Sequence, residues 1–195
     1  LREMKLLLPG MVLQTLGAGM LLPILPSFAV NALDMTATHY SILLMIGGGC
    51  TVIGLIPMGK LSDAFGKKWF LIVGFLAFGL VLFALTLHPP LGLALFWAFV
   101  LGISYAAVLP AWNALLAAYV PQGQQGLGWG VFSTVEGIGG MIGPVIGGLV
   151  ATRYTEASVI GIAGLLFIVI SVFYVFFPFR LFRGETSPAL AKGAK

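Results

Sequence analysis

One acid sits deep inside an apolar run. Glu136 lies between Val135 and Gly137, far from any polar break in the chain. A carboxylate in hydrocarbon is costly, so the neutral form is favoured there, and such a group suits proton coupling or cation binding. It would serve equally as a neutral carboxyl hydrogen-bonded inside a helix interface. Helical arithmetic puts Glu136 about 20° from Gly143, on a stripe of small residues, which weighs toward the packing role. Gln14, Asn113 and Trp112 are the other polar or semipolar side chains placed to line a cavity. Asn113 fits an interhelical hydrogen bond as well. Enzymatic sets are missing: there is no Ser/His/Asp combination, no HExxH, no phosphate loop and no pair of acids on one apolar run. Cys50 is the single cysteine, and His39 and His88 stand apart near the ends of apolar runs. No metal site, disulfide framework or cofactor is expected.

Two strings have spacing that implies mechanics rather than catalysis. The first is Gly59-Lys60-Leu61-Ser62-Asp63-Ala64-Phe65-Gly66-Lys67-Lys68. Gly59 and Asp63 are four apart, hence neighbours on one helix face. Gly59 permits a close backbone approach and Gly66 a sharp turn. Asp63 is placed to accept from backbone N–H groups of a following helix or to pair with a cation across an interface. Lys60 and Lys68 by themselves read as ordinary basic loop residues. The second string is Gly130, eight residues, Gly139, three residues, Gly143-Pro144, two residues, Gly147-Gly148. Glycines 139, 143 and 147 repeat every four positions and form a smooth stripe for close helix packing. Pro144 removes a backbone donor and bends or weakens the helix at that level.

The elements carrying these residues are legible from hydropathy. Hydrophobic residues make up 59% of the chain and charged residues only 8%, against about 25% charged in a soluble domain, so lipid is the natural solvent. Six apolar runs stand out: Leu6–Val30, Tyr40–Leu61, Trp69–His88, Leu91–Val120, Leu127–Ala151 and Ala157–Leu181. Each is long enough to cross a bilayer core about 30 Å thick as a helix. Leu6–Val30 is too long for a signal-peptide core, and a start at Leu1 rather than Met suits part of a longer product. With the amino terminus in the cytoplasm, nine of the ten Lys and Arg residues fall on that side and only Arg153 opposite. Both termini are therefore expected in the cytoplasm. Trp69, Tyr119 and Trp129 would anchor cytoplasmic helix ends and Tyr40 an external one. The net charge of +4 is too scattered between apolar runs to track a phosphate backbone, so no nucleic acid is expected.

A faint internal repeat accompanies the six runs. Leu16-Gly17 and Leu25-Pro26 in the first run correspond to Leu101-Gly102 and Leu109-Pro110 in the fourth. Ile46-Gly47-Gly48 in the second corresponds to Ile138-Gly139-Gly140 in the fifth. Three runs per copy make the copies enter the membrane from opposite sides. The expected fold is an all-α membrane protein: six transmembrane helices as two inverted three-helix repeats over residues 1–182, then a polar cytoplasmic tail over 183–195.

The loop string resembles the loop signature of the major facilitator superfamily: Gly, three residues, Asp-Arg, one residue, Gly, then basic residues. Gly59, Asp63, Gly66, Lys67 and Lys68 match, while Ala64 replaces the usual arginine. The resemblance implies a cytoplasmic latch that breaks and reforms during alternating access, from which the missing arginine removes a fixed multi-donor cation. The string Gly130, Gly139, Gly143, Pro144, Gly147, Gly148 resembles the antiporter motif of that superfamily's proton-coupled drug exporters. An arginine four residues before a glycine in the fourth span is missing, since Ala98 precedes Gly102. The resemblance covers all six spans, about half of a usual member. The altered loop and the missing arginine favour a carboxyl-terminal half, and the antiporter motif an amino-terminal one; the balance leans to the former.

The resemblance implies a half-unit of a secondary transporter in the plasma membrane, exporting small amphiphilic compounds against protons. Its partners would be the lipid bilayer, a second six-helix half (another chain or a copy of this one), a small-molecule substrate and protons. Few fixed charges in the spans suit apolar cargo better than sugars or organic anions. The alternative from another class is a membrane scaffold, or an isolated half that folds without transporting. Substrate-dependent proton flux separates the two.

Overall fold

The computed structural model describes residues 7–120 and 123–176, and these form six helices with no strand among them. They are α1 (Leu8–Asn31), α2 (Ala37–Phe65), α3 (Lys67–Leu85), α4 (Leu91–Tyr119), α5 (Gln125–Arg153) and α6 (Glu156–Phe176). All six are long and apolar enough to cross a membrane. The end of the sixth run at Leu181, the tail 183–195 and the basic residues Arg2, Lys5, Arg180, Arg183, Lys192 and Lys195 lie outside the described residues.

Local chemistry sets the helix limits. Pro9 sits in the first turn of α1, where its missing N–H costs nothing. Thr36 caps α2 by accepting from the backbone N–H of His39 at 3.2 Å. The gap left between the runs Tyr40–Leu61 and Trp69–His88 shrinks to one residue. Helix α2 runs through Phe65 and α3 starts at Lys67, because Gly66 takes a φ of +101°, a conformation that reverses the chain at no steric cost to glycine. Helix α3 ends at Leu85 rather than His88: Thr86, Leu87 and His88 make turn bonds, and Pro90 then caps α4.

Helix pairing shows the inverted repeat. Helix α1 packs along α5 and α6, α4 packs along α2 and α3, and α3 crosses α6. Exchanging α1 with α4, α2 with α5 and α3 with α6 maps this set of pairs onto itself. The α3–α6 pair, which the exchange maps onto itself, meets at a reciprocal glycine contact. A Cβ on Gly79 would stand 2.7 Å from the Gly164 carbonyl oxygen, and one on Gly164 would stand 3.0 Å from the Gly79 carbonyl oxygen. Helices α3 and α6 are also tied by the Ser171 hydroxyl, which donates to the Ile72 carbonyl at 2.7 Å.

The core lies behind this crossing and is aromatic. Phe75 stacks on Phe167 and Tyr174 with centroids 6.1 and 6.0 Å apart, and meets Trp112 edge-on at 6.5 Å. Tyr119, expected at the lipid interface, is turned inward and buried; Trp69 and Trp129 are exposed, as anchors require. Helices α2 and α5 flank the bundle and are the least covered. On α2 only Gly54 and Ser62 are buried, and on α5 only Gly128, Phe132, Gly139, Gly143 and Gly147. Their outer faces are apolar, with Val52, Ile53, Ile56, Met141, Val145 and Leu149 all exposed.

Candidate functional site

The pairing that joins α1 to α5 and α4 to α2 leaves α1 and α4 apart. Between them, with α2 at the side, lies a cavity of about 490 Å³, backed by Phe75 and Phe78 of α3 and Phe167 of α6. Small-molecule sites range over about 300–1,000 Å³ and are mostly apolar with a few polar groups. Here the polar side chains are Gln14, Tyr40, Thr51 and Tyr105, and the rest of the lining is aliphatic, aromatic or glycine. The cavity begins beside Leu33 and Tyr40, at the helix ends away from the lysine-bearing loop, and reaches Gln14 and Val108 deeper in the bundle.

Close glycine contacts hold the walls. Gly102 of α4 faces the Gly47 carbonyl of α2 so closely that a Cβ there would overlap it. Thr51 ties the same crossing: its hydroxyl meets the Gly47 carbonyl at 2.9 Å and the Gly102 carbonyl at 3.1 Å. On the opposite flank the stripe of α5 meets α1. A Cβ at Gly139 would overlap Thr15, one at Gly143 would stand 2.8 Å from Gly19 Cα, and one at Gly147 would stand 2.8 Å from the Met20 carbonyl oxygen. Pro144 touches the same contact, with its Cδ 3.2 Å from where a Gly19 Cβ would lie. Gly130 and Gly148 take no part: a Cβ on either meets open space.

The four single residues singled out from sequence are not gathered in one place. Gln14 lines the cavity, and its Oε1 is shielded from solvent without a hydrogen-bond partner among the described residues. Trp112 does not line it; it is buried in the aromatic core against Phe75 and Tyr174. Asn113 is exposed and outside the lining. Glu136, placed by arithmetic on the small-residue stripe, is exposed instead. The contact row on α5 steps by four residues and so advances about 40° around the helix at each step. Followed back to the level of residue 136, the row is about 90° away from that side chain.

The lysine-bearing loop is compact. Asp63 pairs with Lys67 at 3.7 Å, one turn on, with its own side chain 72% exposed. Lys68 donates to the Val175 carbonyl of α6 at 3.0 Å. Gly59 is not in the close approach expected of it: a Cβ added there would lie 3.8 Å from Pro110 Cβ of α4, an ordinary contact. Ser62 is buried, with its hydroxyl unpartnered among the described residues. Ala64 is exposed. At the opposite end of the bundle, Asn31 donates to Glu156 at 3.1 Å, joining α1 to α6.

Sequence reasoning missed Thr51 and Tyr105 and read Tyr40 only as an anchor. Thr51 carried a usable signal, a hydroxyl four residues beyond Gly47 on a helix rich in small residues. Tyr105 carried none, because its role depends on the gap between α1 and α4.

The profile of the Major Facilitator Superfamily matches residues 7–194. A protein of Staphylococcus saprophyticus described as "Proton-coupled antiporter flippase LtaA" is 32% identical over 174 residues, covering 87% of this chain and 44% of its own length. Proteins of Staphylococcus aureus with the same description are 33% identical over 175 residues, with the same coverage. The chain thus spans about half the length of the curated relatives it matches.

Proposed function

The chain belongs to the Major Facilitator Superfamily, and on that premise we propose that it is one half of a proton-coupled secondary transporter. It exports small amphiphilic compounds across the plasma membrane by alternating access. The observation that carries this reading is the cavity between α1, α2 and α4, sized for a small molecule and apolar except for four uncharged polar side chains. A site of that kind suits an amphiphile, and the relatives are described as proton-coupled antiporter flippases.

The lysine-bearing end faces the cytoplasm, with both termini, by the excess of Lys and Arg there. Residues 1–182 form the membrane bundle and 183–195 a cytoplasmic tail. The loop Gly59, Asp63, Gly66, Lys67 and Lys68 works as a latch at that end. Glu136 carries the proton, as the one acid well inside a span. The stripe Gly139, Gly143, Pro144 and Gly147 lets α5 move against α1, and Gly130 and Gly148 leave its outer face smooth for a second half. That second half covers α2 and α5, whose outward faces the chain itself leaves bare.

The test is transport of an amphiphilic fluorescent dye into proteoliposomes under a pH gradient, with a second half co-expressed. Leu101→Trp, which fills the cavity, is expected to abolish uptake while the protein stays folded. Undiminished uptake in that variant overturns the assignment of the site. The second reading is a half that folds alone and transports nothing. Dye movement by the chain alone, purified as a monomer, rules that reading out.

A further inference from the structure

The cavity has two unlike walls. Helix α1 presents Ala18, Leu22 and Leu25, all aliphatic and open to the cavity. The wall behind is aromatic, a row of four rings in the order Tyr105, Phe78, Phe167 and Phe75. Tyr105 and Phe78 have centroids 6.3 Å apart and planes tilted by 53°. Phe78 and Phe167 are 4.8 Å apart and tilted by 60°, and Phe167 and Phe75 are 6.1 Å apart and nearly parallel. The last two are buried, whereas Phe78 is half-buried and Tyr105 is 41% exposed. A ligand therefore meets Phe78 and Tyr105, and the buried pair holds Phe78 in place. Rings already fixed by packing lose little freedom when a ligand arrives.

We infer that the site selects uncharged amphiphiles carrying an aromatic ring, and that Tyr105 is a specificity-determining residue, acting through its ring rather than its hydroxyl. This rests on reading the cavity as the substrate site. Aromatic rings in contact gain more than the area they bury, by an amount equivalent to about two- to tenfold in affinity. A saturated ring has more apolar surface to withdraw from water, so a merely apolar cavity ranks it above an aromatic ring of the same size. The two modes of recognition predict opposite orders. A cation is the other ligand that ring faces attract. Of the four rings only two are open to a ligand, and no carboxylate lines the wall to offset the desolvation of a charge. The neutral ring is therefore the better fit.

The experiment uses three probes that share a triethylene glycol head and a butyl spacer and end in phenyl, cyclohexyl or trimethylammonium. Each is radiolabelled and dialysed to equilibrium against the full chain in nanodiscs, with empty nanodiscs correcting for uptake into lipid. The phenyl probe is expected to bind about two- to tenfold tighter than the cyclohexyl probe, and the trimethylammonium probe more weakly than either. Tyr105→Phe keeps the ring and should keep that order. Tyr105→Leu should abolish or reverse it, with thermal stability unchanged because the side chain is exposed. A purely structural role would weaken both probes together and leave their ratio as it was. Cyclohexyl binding as tightly as phenyl to the unmodified chain overturns the inference. So does a preference that survives Tyr105→Leu or is lost in Tyr105→Phe, or trimethylammonium binding as tightly as phenyl. Leu101→Trp separates the two layers of argument. If it abolishes binding of every probe while phenyl has no advantage in the unmodified chain, the cavity is the site and its rings do not select. If no probe responds to Leu101→Trp, the site assignment falls, and the role of Tyr105 with it.

Discussion

Asp63 and Glu136, the acids proposed for the latch and for proton coupling, are both open to solvent or lipid rather than locked in the core. An exposed i,i+4 pair such as Asp63–Lys67 contributes only about 0.3–0.5 kcal/mol. Asp63→Asn therefore leaves the melting temperature almost unchanged. Transport is expected to fall severalfold with equilibrium binding of the dye unaltered, since a latch sets the exchange between states and not the affinity of one state. Equal losses in transport and binding would assign Asp63 to folding instead. For Glu136 the expected outcome of Glu136→Gln is loss of uptake driven by a pH gradient with retention of dye exchange at equal pH. Parallel loss of both activities would show that the carboxyl shapes the protein without carrying the proton. The exposure of Glu136 was not legible from the sequence. A helical wheel treats a contact row as parallel to the axis, whereas the α1–α5 row is inclined to it, and an inclination depends on the partner helix.

At the scale of elements, neighbouring glycines of α5 have opposite surroundings. Gly147 faces the Met20 carbonyl oxygen, while Gly148 faces open space. Gly147→Ala is expected to lower the thermal stability of the detergent-solubilised protein by about 1–3 kcal/mol, the usual cost of overpacking, and Gly148→Ala to leave it unchanged. Gly143→Leu, placed against the Gly19 backbone, should destabilise further and abolish transport, whereas a change at exposed Leu165 should do neither. Similar melting curves for the two alanine variants would refute the close approach of α5 to α1. The helices themselves were readable within a few residues, because a span needs only length and hydropathy. What escaped was placement among neighbours. Trp112 looked like a cavity residue and Tyr119 like an interfacial anchor, yet both turn inward, since an aromatic ring on an apolar helix has the same sequence signature in either role. The single-residue joint at Gly66 was hidden by the polar run Asp63 to Lys68, which reads as a loop although Asp63 and Lys67 both lie on helices.

For the molecule as a whole, the pattern of pairing matters more than any one contact. The proposed second half would pack on the flanking helices α2 and α5, the least covered of the six. With Cys50 replaced by Ala, Val52→Cys on α2 and Met141→Cys on α5 are both well exposed and should form cross-links to a second half or a second copy in membranes. Light scattering in mild detergent should give a mass above that of one chain; a monodisperse monomer with full transport would dismiss the need for a partner. The internal two-fold was only faintly visible in sequence, as a few Leu-Gly and Leu-Pro pairs, because the symmetry resides in which helices touch. It has a genetic consequence. At the Gly79–Gly164 crossing, an added methyl on either side strikes the backbone of the other, and the opposing residue is already glycine. Neither position can be rescued by trimming its counterpart. In a selection for revertants of Gly79→Val, suppressors at codon 164 should never appear; restoration should come from true reversion, with trimming of Ile168, whose side chain shares the Gly79 contact, giving at most partial recovery.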